Sequence, residues 1–101
     1  MGEALAVDLL VKHRAKVIAR NLKVGRGEID VLAMIGGTRS VIEVRSVRQG
    51  AQPVDPLAAF DHEKARRVRG LAGLVRAGRV DLITVSFSAA GVDLHWLPWA
   101  L

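Results

Sequence analysis

The fold that this sequence predicts is a mixed β-sheet with helices, in the order α-β-β-β-α-β-β, α/β or α+β in class. Three observations carry it. A Gly36-Gly37 pair between two apolar runs is a hairpin signal, because both central residues of a tight turn must tolerate positive φ. The run VDLITVSF, from Val80 to Phe87, is nearly continuous in apolar residues, as a strand covered on both faces requires. A long amphipathic segment before it supplies a helix to cover the sheet.

The elements follow in order. From Glu3 to about Lys12, Val7, Leu10 and Val11 recur at helical spacing. AKVIARNLKV then changes to a β-branched, alternating character and reads as a strand near Lys16–Val24, with GRGE as the turn after it. Two strands, roughly Glu28–Ile35 and Arg39–Val47, flank the Gly-Gly turn. RQGAQPVDP, Arg48–Pro56, is loop by its Gly and Pro content. A helix is expected from about Leu57 to Ala77, ended by Gly78. After the buried strand, AAG turns the chain into a short final strand, VDLHWL.

At 101 residues the chain is sized for one domain with one modest core. Half of it is hydrophobic and 25% is charged, a globular rather than a disordered balance. No apolar run approaches the ~18 residues of a membrane span, and the N-terminus lacks the charged-then-apolar order of a secretion signal. Cysteine is absent, which excludes disulfides and thiolate metal sites, and the expected compartment is the cytoplasm. A formal charge of +5 favours a polyanionic partner, nucleic acid first, although an ordinary basic surface gives the same number. Two Trp and two Phe poorly supply a platform for stacking single-stranded bases.

Chemistry concentrates in GEIDVLAMIGGTRSVIEVRS, Gly27–Ser46. Strand alternation puts Glu28, Asp30, Leu32 and Met34 on one face and Val41, Glu43 and Arg45 on one face of the partner. Counting back from a two-residue turn sets Asp30 opposite Glu43 and Glu28 opposite Arg45. Opposed carboxylates repel, and more so when buried, unless a counter-charge is supplied. A divalent cation is one such counter-charge, since Mg²⁺ takes one or two carboxylates with waters and phosphate oxygens. Arg45 is another, which would make the cluster a plain ion-pair network. Two further charges interrupt apolar helical stripes. Glu3 precedes Val7 and Leu10 by four and seven positions, and Lys64 is the only charge in the stripe Phe60, Lys64, Val68, Leu71, Val75. A lone Lys there is commonly a stem lying along apolar surface, yet Glu3, Lys64 and the opposed pair are also the makings of one site.

GEALAVDLL, VIARNLKVGRGEIDVLA, VIEVRS, the AAFDHEKARRV helix and RVDLITV resemble the successive blocks of the uncharacterised bacterial YraN family. That family is placed in the PD-(D/E)xK nuclease superfamily, alongside archaeal Holliday-junction resolvases. The resemblance implies an α/β, restriction-endonuclease-like core acting on DNA, branched or recognised by shape, with Mg²⁺ or Mn²⁺. It implies that Asp30 and Glu43 are metal ligands and that Glu3 is the helix-borne Glu supplementing them. It places Arg45 where the motif Lys belongs and matches Lys64 to a Lys of the long helix. Resolvase-like relatives pair, so the resemblance extends to a homodimer.

The residue types suit this chemistry. Two carboxylates would hold the cation against the scissile phosphate, and a nearby ammonium would stabilise charge on it. Arg14, Lys16, Arg20, Lys23, Arg26, Arg66, Arg67, Arg69, Arg76 and Arg79 are candidates for holding DNA backbone. Arg45 cannot deprotonate and serves electrostatics alone; the superfamily this chain resembles sometimes supplies the lysine from another element, and Lys64 is the candidate for it by its stripe position. The family's usual Gly after the first helix is Arg14 here. A DNA-binding module of the same fold without catalysis, or a protein-interaction module, therefore stands beside the enzyme reading. His13, His62 and His95 are too scattered for a zinc site by spacing. Trp96 and Trp99 are expected to pack the C-terminal strand or a dimer contact, and Asp81 to be a cap or an ion-pair partner.

Overall fold

The computed structural model describes residues 2–47 and 60–101. Helix α1 (Gly2–Lys12) is followed by β1 (Lys16–Val24), β2 (Gly27–Ile35) and β3 (Thr38–Val47), then α2 (His62–Leu74), β4 (Arg79–Ser88) and β5 (Gly91–Leu97). This is the α-β-β-β-α-β-β order, in an α/β fold with one five-stranded mixed sheet ordered β1-β2-β3-β4-β5. Neighbours pair antiparallel except β3 and β4, which run parallel and are joined through α2. β4 is buried from Val80 to Val85 because it lies inside the sheet with a helix on each face. No helix among the described residues is long and apolar enough to cross a membrane.

The helices cover opposite faces. Ala6 and Leu10 of α1 pack with Val31, Ala33, Ile42, Ile83 and Val85. Ala65, Val68 and Ala72 of α2, with Phe60 before it, pack with Ile29, Leu32, Val41, Val80 and Leu82. The alternation of Val41 with Ile42 and of Leu82 with Ile83 between the two cores is the strand period made visible.

The long helix is shorter than its pattern predicts. Residues 57–59 and the Arg48–Pro56 loop lie outside the described residues. The helix starts at His62 because Asp61, in an extended conformation, caps it by accepting from the Lys64 N–H at 2.8 Å. It ends at Leu74 because Arg76 adopts φ 56°, so the left-handed residue is Arg76 rather than the expected Gly78. Arg76 N donates to Gly73 O and Ala77 N to Ala72 O, the paired bonds of a Schellman cap. Helix α1 ends identically: Arg14 at φ 66°, with Arg14 N on Val11 O and Ala15 N on Leu10 O. The Arg14 that stands for a glycine takes the glycine conformation.

Two expectations about the hairpin are corrected. Glu28 does not face Arg45; it pairs with Lys23 of β1. Nor do Glu28, Asp30, Leu32 and Met34 share a face by simple alternation, because Ile29 and Leu32 both enter the core under α2. The alternation slips at Asp30, opposite Asn21 of β1, whose φ of 50° bends the partner strand there. Asn tolerates that conformation better than other side chains, so its presence in a strand was the sequence signal for the bend.

Candidate functional site

The bend opens a fork in the sheet. β2 and β3 pair from Ile35↔Thr38 to Val31↔Ile42. Beyond that, β2 continues with β1 through Leu22↔Ile29, Lys23↔Glu28 and Val24↔Gly27, while β3 continues with β4 from Glu43↔Leu82 to Val47↔Ser86. Asp30 and Glu43 are therefore the first residues past the last shared pair, one on each prong. A backbone N–H left facing such a gap needs an acceptor. Asp30 supplies it: Val44 N donates to Asp30 Oδ2 at 2.9 Å, a side chain standing where strand backbone would have continued.

Glu43 shares the Val41 side of β3, beneath α2, and is half-buried. Burial pushes its carboxyl up, and a hydrogen bond and the charge of Asp30 push it further, to about 7. Lys64 and Arg45 pull in the opposite direction without cancelling the rise. The like charge of Asp30 is thus one of the forces, after burial, that hold Glu43 toward its neutral form. Lys64 arrives from the first turn of α2, where the Asp61 cap fixes its position, and it is half-buried on the expected stripe.

Four of the five predicted site residues, Asp30, Glu43, Arg45 and Lys64, are thus electrostatically joined at the fork. Glu3 enters from another direction: a Cβ on Gly2 before it would stand 2.8 Å from Ser46 Oγ and 4.0 Å from a Val44 methyl, both on β3. It is half-buried on α1, whose apolar stripe is seated on the other face of the sheet, and its charge is not among those acting on Glu43. Among the described residues no three His, Cys, Asp or Glu side chains converge closely enough to hold a metal ion. The donor set at the fork is two carboxylates.

Arg14, Lys16, Arg20, Lys23, Arg26, Arg66, Arg67, Arg69 and Arg76 are all exposed. Arg79 is withdrawn from that surface. Its Nε and Nη2 hold Asp81 Oδ1 and Oδ2 at 2.9 and 2.7 Å, with Asp81 fully buried. Trp96 Nε1 adds a bond to Oδ2 at 2.8 Å and Trp99 N one to Oδ1 at 3.1 Å, while the Trp99 ring lies 4.7 Å from the Arg79 guanidinium. Asp81 is an ion-pair partner, and the tryptophans tie the end of the chain to β4.

The model of the uncharacterised protein family UPF0102 matches residues 2–85. The chain belongs to that family. UPF0102 comprises the YraN-like bacterial proteins whose sequence blocks this chain shares. A UPF0102 protein of Mycobacterium bovis is 41% identical over 75 residues, which covers 73% of this chain; the chain spans 59% of that relative's length. UPF0102 proteins of Thermotoga neapolitana and Geobacter metallireducens are 35% and 31% identical, over 91% and 96% of this chain and 88% and 85% of their own. All the fork residues fall within the span matched to UPF0102, whereas Trp96 and Trp99 fall beyond it.

Proposed function

We propose that this UPF0102 protein is a Mg²⁺-dependent DNA endonuclease of the resolvase type, with its reactive centre at the fork between β2 and β3. The observation that carries the reading is the pairing of Asp30 with Glu43. Two acids held together where burial and repulsion raise one of them to about 7 gain stability from a cation placed between them. The donors suit Mg²⁺, which takes hard carboxylate oxygens and fills its remaining positions with water and phosphate. Asp30 and Glu43 would hold it, and when bound it polarises a phosphate and makes a coordinated water more acidic. Lys64, set beside Glu43 by the Asp61 cap, stabilises charge on the phosphate and is the amine able to exchange a proton. Arg45 contributes fixed positive charge only. The exposed arginines hold the DNA backbone, with recognition by shape rather than by base edges.

Purified protein incubated with junction, flap and linear DNA in Mg²⁺ or Mn²⁺ tests this. Cleavage that Asp30→Asn and Glu43→Gln abolish is the expected result; cleavage unaffected by both changes, or none on any substrate, overturns it. Arg45 at the motif Lys position favours a second reading, a DNA-binding module of this fold without catalysis. It predicts salt-dependent binding that persists in EDTA and no strand scission.

A further inference from the structure

Helix α2 acts on both prongs of the fork. The charge of Lys64 acts on Glu43 of the β3 prong. Leu71, two turns later on the same stripe, sits directly on Gly27 at the start of the β2 prong. The fit is close. A Cβ on Gly27 would stand 2.9 and 3.0 Å from the two Leu71 methyls and 3.4 Å from its Cγ. The hairpin tip extends the contact, since a Cβ on Gly25 would lie 3.8 Å from Leu74 Cδ1. Leu22, Val24 and Leu71 all pack against the core that contains Ile29.

We infer that the Gly27–Leu71 contact is a positioning device for the carboxylate pair. It clamps the β2 prong under α2, so that one rigid helix sets both where Lys64 meets Glu43 and how far Asp30 stands from β3. This rests on the fork being the reactive site, as proposed above. Asp30 lies three residues from Gly27, with buried Ile29 between them, so displacement of Gly27 is passed along the strand to Asp30. Hydrogen bonding within the strand pair does not do this alone. The β1–β2 hairpin shares no backbone pairing with β3 beyond Val31, and α2 ties it to the far side of the fork. Neither residue touches a substrate; both act through Asp30.

The test is a reciprocal pair of variants, read by the Val44 amide, whose bond to Asp30 Oδ2 reports the geometry without any metal. Gly27→Ala forces the methyls apart, and Leu71→Ala removes the clamp. Each is expected to shift the Val44 amide resonance and speed its hydrogen exchange, and to weaken Mn²⁺ binding by roughly tenfold, as lost support of a metal ligand does. In the double variant the new Cβ occupies the space the methyls left. The Val44 amide is then expected to return to its original resonance and exchange rate, even if Gly27→Ala alone does not fold. A double variant no closer to the parent than either single one, or a Val44 amide unmoved in Leu71→Ala, overturns the clamp. If the parent protein cleaves no DNA while the Val44 amide responds as stated, the nuclease reading fails and the clamp stands.

Discussion

The molecule treats two sets of buried acid in opposite ways. Asp81 is 0% exposed, yet each of its oxygens is met by an Arg79 nitrogen and by a second donor from the Trp96–Trp99 segment. Asp30 and Glu43 are less buried, yet they face each other, and the cations near Glu43 leave it strained toward its neutral form. Burial depth alone therefore does not decide what an acid is for. A carboxylate whose oxygens are all satisfied from within the fold has no capacity left for a ligand; it serves stability. A carboxylate pair left under-compensated stores repulsion that an added cation would relieve.

The largest expected effect lies at the satisfied acid. Arg79→Ala leaves the Asp81 charge buried with only its neutral donors, and loss of one member of a buried pair costs about 3–5 kcal/mol. The urea midpoint should fall accordingly. A loss below about 1 kcal/mol, the range of exposed pairs, would mean that Trp96 Nε1 and Trp99 N satisfy Asp81 unaided, and the contrast would weaken.

A smaller effect of opposite sign is expected at the fork. The folded-state value of Glu43, about 7, lies above its ordinary 4.5, so the folded chain holds that proton more tightly than the unfolded one. The resulting stabilisation is full below pH 4.5 and lost as the pH rises through 7. Glu43→Gln keeps the neutral shape at every pH. It should match the parent near pH 4.5 and exceed it at pH 8 by on the order of 1 kcal/mol, a figure reduced for the half-exposed position. Denaturation midpoints across that range check it, and a variant less stable than the parent at pH 8 contradicts the account.

The smallest effect sharpens the comparison by lying away from both acids. Arg14 holds φ 66° at a cap where glycine is unstrained. Arg14→Gly removes about 1 kcal/mol of left-handed strain against the entropy that glycine adds, for a net gain of about 0.5 kcal/mol. That gain should be the same at pH 5 and pH 8, unlike the change at Glu43.

Much of this arrangement was legible in the sequence, and what was not has identifiable causes. Gly36-Gly37 set the hairpin register correctly, so Asp30 and Glu43 come together one step past the last pair. Register counting assumes that strands stay paired, and it therefore carried Glu28 on to Arg45; the bend at Asn21 sends Glu28 to Lys23 instead. Helical spacing found the stripe that bears Lys64 but could not fix the helix start, which a single Asp61 side chain decides. Spacing likewise put Glu3 on a buried stripe without saying which face of the sheet that stripe covers. Arg79 counted as surface charge until its partner two residues away drew it inward. That pairing could have been read from a basic and an acidic residue on one side of a strand too apolar to leave either alone.

The most direct test of the central claim is a calorimetric titration of the DNA-free protein with Mn²⁺ at pH 8, where Glu43 is ionised. The account predicts saturable binding that Asp30→Asn and Glu43→Gln each abolish and that Glu3→Gln leaves in place. Absence of saturable binding by the parent protein, or binding that survives both fork substitutions, would contradict it.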